Sequence, residues 1–263
     1  SSYLQTSPRN INRSLSIRSN KNSDSVTSPT SSGRHRFIPS LRGSNPELSR
    51  RLAKLVKSEN HVITAYENAG KEQQTIARQL SEWGEQTGDD AVSEVADKLG
   101  VLLAEMADQE DFYAQGLEES RTVLKQIRNT ESSVQPSRDH KAKIQDEIQK
   151  LKYKEPASPK IVQLEQELVR AEAQSLVAEA QLTNITRQKL RQAYDLHLKA
   201  LLERSAKQTL LATQARRVLA LLDDTPIVPG ETRPPFGQEH ELRQILSDAE
   251  EELRGWQPGW EEL

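Results

Sequence analysis

From Leu117 to Val228 the chain contains no glycine, and between Pro46 and Pro226 only Pro136, Pro156 and Pro159 interrupt it. Glycine and proline are the residues that end regular backbone, so a run this long without them favours very long helices or no fold at all. The apolar positions decide between the two. Ile161, Leu164, Leu168, Ala171, Ala178, Leu182 and Ile185 recur at steps of three, four and seven, the period of one helix face. Ser158-Pro159 supplies a cap residue followed by proline at the first helical position. The spacing predicts a helix of about 65 residues, or ~95 Å at 1.5 Å per residue, where an ordinary globular helix has ~12 residues.

Three further stripes have the same period. Leu48, Leu52, Leu55, Val62, Tyr66, Ala69, Ile76, Leu80 and Trp83 predict a first helix over 46–86, capped by Ser44 or Asn45 and stopped by Gly84 and Gly88. Val92, Val95, Leu99, Leu102, Met106, Tyr113, Leu124, Ile127 and Val134 predict a second, opened by Asp89 and Asp90 and continued by Ile144, Ile148 and Leu151. Pro136 should kink it, because its ring removes a donor and crowds the preceding turn. Leu242, Ile245, Ala249 and Leu253 predict a short, acidic fourth helix from Gln238 to Trp256, after the prolines at 226, 229, 234 and 235. The links 84–90 and 154–158 are short, which forces neighbouring helices to run antiparallel. The expected fold is all-α: a long antiparallel three-helix coiled-coil bundle with a short C-terminal fourth helix and an irregular N-terminal segment. The division falls at 1–45, 46–223 and 224–263. Stripes this narrow leave apolar surface open on one copy, and dimerisation is the expected remedy.

Composition removes several function classes. Only 34% of residues are hydrophobic, too few for a large compact enzyme core, and there is no cysteine for a disulfide, a zinc site or a nucleophile. No phosphate-binding glycine loop, His-Glu-x-x-His, Gly-x-Ser-x-Gly or EF-hand loop occurs. The five histidines never pair at ligand spacing on one helix, so no catalytic residue, metal or cofactor is expected. No apolar run approaches the ~18 residues of a membrane span.

The net charge of -3 hides an asymmetry. Residues 1–51 hold nine Arg/Lys against two acids, whereas from Asp223 onward eleven acids face three arginines. Within the helices, Arg121, Lys125 and Arg128 fall at i, i+4 and i+7 with no acid between them, so they share one helix face. Such a face suits a polyanion: a lipid head-group layer, which attracts ~1 kcal/mol per basic residue, or nucleic acid. Stacking aromatics and a recognition-helix motif are lacking near these residues, which favours the membrane over nucleic acid. A coiled-coil adaptor that binds partner helices without touching lipid is the alternative. In the head, Arg34, Arg36, Phe37 and Arg42 read as a basic anchor with an apolar wedge, and Lys141 and Lys143 as further membrane contacts. A mitochondrial transit peptide is a second reading of the head, although Pro8 interrupts any helix at its start. Ser14, Ser16 and Ser19 stand among Arg13 and Arg18, where phosphorylation would cancel positive charge.

Specific strings resemble a known family. Pro46-Glu47-Leu48-Ser49-Arg50, Asp97 to Leu102, Ser133 to Asp139, Leu164 to Ala180, Asn184 to Arg187 and Pro229 to Pro234 are similar to the fungal eisosome core components, BAR-domain proteins of the plasma membrane. Together they span roughly residues 40–256, and Ser14 to Ser19 is similar to the family's N-terminal serine motif. The resemblance implies a BAR-type curved homodimer, peripheral on the cytoplasmic face of the plasma membrane. It would bind phosphoinositides and assemble with related eisosome subunits into a filamentous lattice. It implies a phosphoinositide site at Arg121, Lys125 and Arg128, and phosphorylation near the N-terminus and at Thr225 after the third helix. Val228, Ala53, Asn60 and Thr64 depart from the family pattern: a Thr is expected at 228, a Ser at 53 and basic residues at 60 and 64.

Overall fold

The computed structural model describes residues 47–231 and 235–259, with side chains from Ser49. Four helices make up the architecture: α1 (Glu47–Gln86), α2 (Asp90–Lys154), α3 (Lys160–Leu219) and α4 (Glu239–Gly255). The all-α, long-helix, antiparallel reading is the observed one, and each helix begins and ends within a few residues of where its cap, glycine and proline signals place it. The prediction for the head segment 1–45 lies outside the described residues.

Local chemistry accounts for the ends. Asp89 caps α2, its carboxylate accepting from the Val92 N–H at 3.0 Å. Gly88 takes φ +69° in the turn before it, a conformation that costs other residues about 1–2 kcal/mol. At α3 the expected serine cap is absent: no side-chain cap hydrogen bond forms, and Pro159, itself helical at φ −64°, opens the helix with its fixed φ. Pro136 does not end α2, which remains helical to Lys154. In the turns before it, Thr130, Ser132 and Ser133 donate their hydroxyls back to the Gln126, Arg128 and Thr130 carbonyls, a bonding pattern that eases bending.

α2 is the centre of the bundle, with α1 and α3 antiparallel against it. Ser81 meets Asp97 while Val56 meets Leu124, and Arg138 meets Glu179 while Glu110 meets Arg204. α1 reaches only about the first two thirds of α2, as far as Ile127 and Glu131, so the described residues make three helices over that stretch and a two-helix arm beyond it. The arm is sealed by Ile144, Ile148, Leu164 and Ala171. At the opposite end α4 folds back over α2 and α3, where Leu242, Ile245 and Ala249 pack with Val95, Leu102, Leu211 and Val218.

The first stripe needs correction. The buried row of α1 is not Leu55, Val62, Ile76 and Trp83 but the row one residue further on: Ser49, Val56, Ile63, Gly70, Ala77 and Gly84, all at steps of seven. Small residues win this seam because they let backbones approach. A Cβ on Gly100 of α2 would lie 2.8 Å from the Ala77 carbonyl oxygen, and one on Gly84 would lie 2.5 Å from the Ala96 Cβ. The larger row stays open on α1, with Ile76 51% and Trp83 58% exposed.

Candidate functional site

Arg121, Lys125 and Arg128 do share one side of α2, and all three are half-buried rather than fully solvated. Their face is not acid-free. Glu118, one turn upstream, accepts from Arg121 Nε at 2.6 Å and Nη2 at 2.9 Å, and from Lys125 Nζ at 3.2 Å. Burial pushes the Glu118 carboxyl up, but the hydrogen bonds from Arg121 and Lys125 outweigh it and hold it below the ordinary carboxylate value. Among the described residues Arg128 donates only to the neighbouring Asn129 side chain, at 3.1 and 3.3 Å, and has no ion-pair partner. The trio is therefore a pair of tethered cations and one free one.

The heptad frame shows what lies across the groove. Lys71 and Arg78 of α1 line a cavity with Asp97 and Ala104 of α2. Followed in steps of seven, the α1 row runs back through Thr64 to Lys57 and Arg50, and the α2 row runs on through Asp111 to Glu118 and Lys125. The α1–α2 pairing of Val56 with Val123, Leu124 and Ile127 sets these ends side by side. Arg50 and Lys57 are exposed and carry no ion pair among the described residues. Steps of seven thus set Arg50 and Lys57 of α1 alongside Arg121, Lys125 and Arg128 of α2 as a two-helix basic strip, with Glu118 within it. Sequence reasoning counted Arg50 only in the charge of residues 1–51 and passed over Lys57; the seven-residue row Arg50, Lys57, Lys71, Arg78 was the signal. Thr64 interrupts that row, the position where the family resemblance expected a base.

The other expected contacts fare differently. Lys141 pairs across the arm with Glu172 at 3.5 Å, so part of its charge is spent inside the protomer. Lys143 is exposed and unpaired among the described residues. Thr225 lies beyond α3, its N–H and hydroxyl both donating to Asp223 Oδ1, at 3.0 and 2.5 Å. Arg34, Arg36, Phe37, Arg42, Ser14, Ser16 and Ser19 lie outside the described residues. Among the described residues there is no cluster that could hold a metal ion, and no helix long and apolar enough to cross a membrane.

A rod of heptad-packed helices with a basic strip near the end of α1 is the setting for the comparison with known proteins. The family described as Eisosome component PIL1 matches residues 11–259. The chain belongs to this eisosome component family. The sphingolipid long chain base-responsive protein LSP1 of Saccharomyces cerevisiae is 53% identical over 211 residues, covering 80% of this chain and 62% of that protein. PIL1 of the same yeast is 51% identical with the same coverage. The probable sphingolipid long chain base-responsive protein pil1 of Schizosaccharomyces pombe is 51% identical over 213 residues, 81% of this chain and 60% of its own. The chain spans about three fifths of the length of these relatives. Among solved structures, the N-terminal I-BAR domain of D. discoideum IBARa aligns at a TM-score of 0.46 with 14% identity, over 78% of this chain and 93% of that one.

Proposed function

We propose that this eisosome component is a membrane-binding and membrane-shaping BAR-type scaffold. It holds anionic phospholipid, phosphoinositides in particular, at the cytoplasmic face of the plasma membrane, dimerises, and assembles with copies of itself and related eisosome subunits into a lattice. The observation that carries this reading is the two-helix basic strip, in which the seven-residue rows set Arg50 and Lys57 alongside Arg121, Lys125 and Arg128, with Glu118 tethering Arg121 and Lys125. Five cations on a rigid surface can meet several head-group phosphates at once without a recognition pocket. The large row left open on α1 supports the dimer. Leu55 shares a cavity with Leu190 of α3, and Ile76 shares one with Arg204 and Gln208, so α1 and α3 present apolar flanks that a second copy covers. Thr225 is a phosphorylation site in this reading: a phosphate there would stand beside Asp223 and Asp224 and break the present turn.

Cosedimentation with phosphoinositide vesicles at fixed salt tests the strip. Lys125→Asp with Arg128→Asp removes two attractions of ~1 kcal/mol each, a ~30-fold weaker association, and untethers Glu118 to add repulsion. A folded double variant that binds as wild type overturns the assignment. Binding that ignores both lipid charge and salt favours the coiled-coil adaptor instead.

A further inference from the structure

The two-helix arm carries an apolar seam that no described residue covers. Val162, Val169 and Leu176 are 59%, 66% and 72% exposed and stand at steps of seven on α3. Ala173 and Ala180 lie between and beyond them, so the row Val162, Gln166, Val169, Ala173, Leu176, Ala180 alternates steps of four and three without a lapse other than Gln166. That is the spacing of a helix–helix seam. The same row, continued in sevens, reaches Leu190, which lines a cavity with Leu55 of α1, and Arg204, which sits over the Tyr66 ring of α1. The seam is therefore the outward continuation of the face on which α1 already lies, past the point where α1 begins.

We propose that this arm seam is an isologous contact between two copies, the α3 segments running antiparallel with the twofold axis at Val169. The proposal rests on the assembly reading above and names the surface it uses. The residues are self-complementary in that one register. Val169 meets Val169 of the second copy and Val162 meets Leu176, while the small Ala173 falls one residue off Gln166, leaving the larger side chains opposite one another. A closed twofold contact of this kind links dimers through their arms without using the basic strip.

The chain has no cysteine, so single-cysteine cross-linking reads the register directly. The chain is assembled on phosphoinositide vesicles and treated with a short bis-maleimide. Val169→Cys is expected to cross-link to itself. Val162→Cys and Leu176→Cys are expected to cross-link efficiently only when the two variants are mixed, at least tenfold more than either alone. A Val169→Glu variant is expected to bind vesicles as a dimer with wild-type melting but to form no larger assembly. If assemblies form on vesicles and Val169→Cys does not cross-link, or Val162→Cys links to itself as well as to Leu176→Cys, the arm contact is wrong while the scaffold reading stands. If nothing larger than a dimer forms on any vesicle, both fall together.

Discussion

The most exacting test of the bundle lies at Glu110, a carboxylate only 3% exposed at the meeting of three helices. Arg204 clamps it from α3 with two bonds of 2.7 and 2.9 Å, and Gln208 adds a third at 2.7 Å. The same guanidinium lies 5.3 Å from the Tyr66 ring of α1 and 5.1 Å from the Tyr113 ring of α2, and the two rings pack edge to face at 4.8 Å. Arg204→Met keeps most of the volume but leaves Glu110 buried with only the Gln208 amide. Breaking a buried pair from one side costs about 3–5 kcal/mol; because Arg204 itself is 23% exposed and water reaches it, the lower end applies. In a domain of this size ~3 kcal/mol lowers Tm by about 6–12 °C. Adding Glu110→Met removes the stranded charge and should recover most of that loss, the residue being the two cation–π contacts at ~0.5–1 kcal/mol each. Circular dichroism melting at one fixed protein concentration is the assay, since association shifts Tm. A single Arg204→Met variant that melts with wild type, or a double variant that melts below the single, refutes the argument that the pair is energetically coupled.

Three further outcomes follow from named contacts. Glu118→Gln removes the acid that tethers Arg121 and Lys125 and should strengthen vesicle association about 5-fold, from ~1 kcal/mol of relieved charge; unchanged cosedimentation would show the strip does not face lipid. Gly100→Ala drives a methyl to 2.8 Å from the Ala77 carbonyl oxygen, a backbone atom that cannot yield. The overpacking of about 1–3 kcal/mol should exceed the ~1 kcal/mol that alanine gains in a helix interior, so Tm falls despite the better helix former. Glu179 is held below the ordinary carboxylate value of 4.5 by hydrogen bonds from Arg138. A depressed carboxylate contributes stability above its unfolded pKa and loses it as pH falls through the folded one. Tm should therefore hold from pH 7 to about 5 and drop below 4.5, and Glu179→Gln should flatten that drop in acid melts.

How far the sequence could be read depended on which residues filled the seams. In α2 and α3 the core is built of the largest apolar side chains, such as Leu102, Leu124, Ile148 and Leu164, so period and burial agreed and the helices were placed correctly. In α1 two adjacent heptad rows compete, one large and one small, and hydrophobicity alone selects the large row. Packing selects the other, because Gly70, Ala77 and Gly84 bring the α1 backbone close to α2 in a way that no hydropathy scale rewards. The large row is then free for a second copy, which turns a misassigned core into an argument for association. The basic trio was legible as a helix face, since spacing fixes the angle around a helix. Its electrostatics were not, because the decisive acid lies three residues upstream of Arg121 and its partner cations lie on another helix. Glu118 reaches Lys125 two turns away, and Arg50 and Lys57 enter the strip only once the α1–α2 register is known. Charge on a long helix is thus readable in angle from one chain segment, and in sign and strength only from the pair of helices that forms the groove.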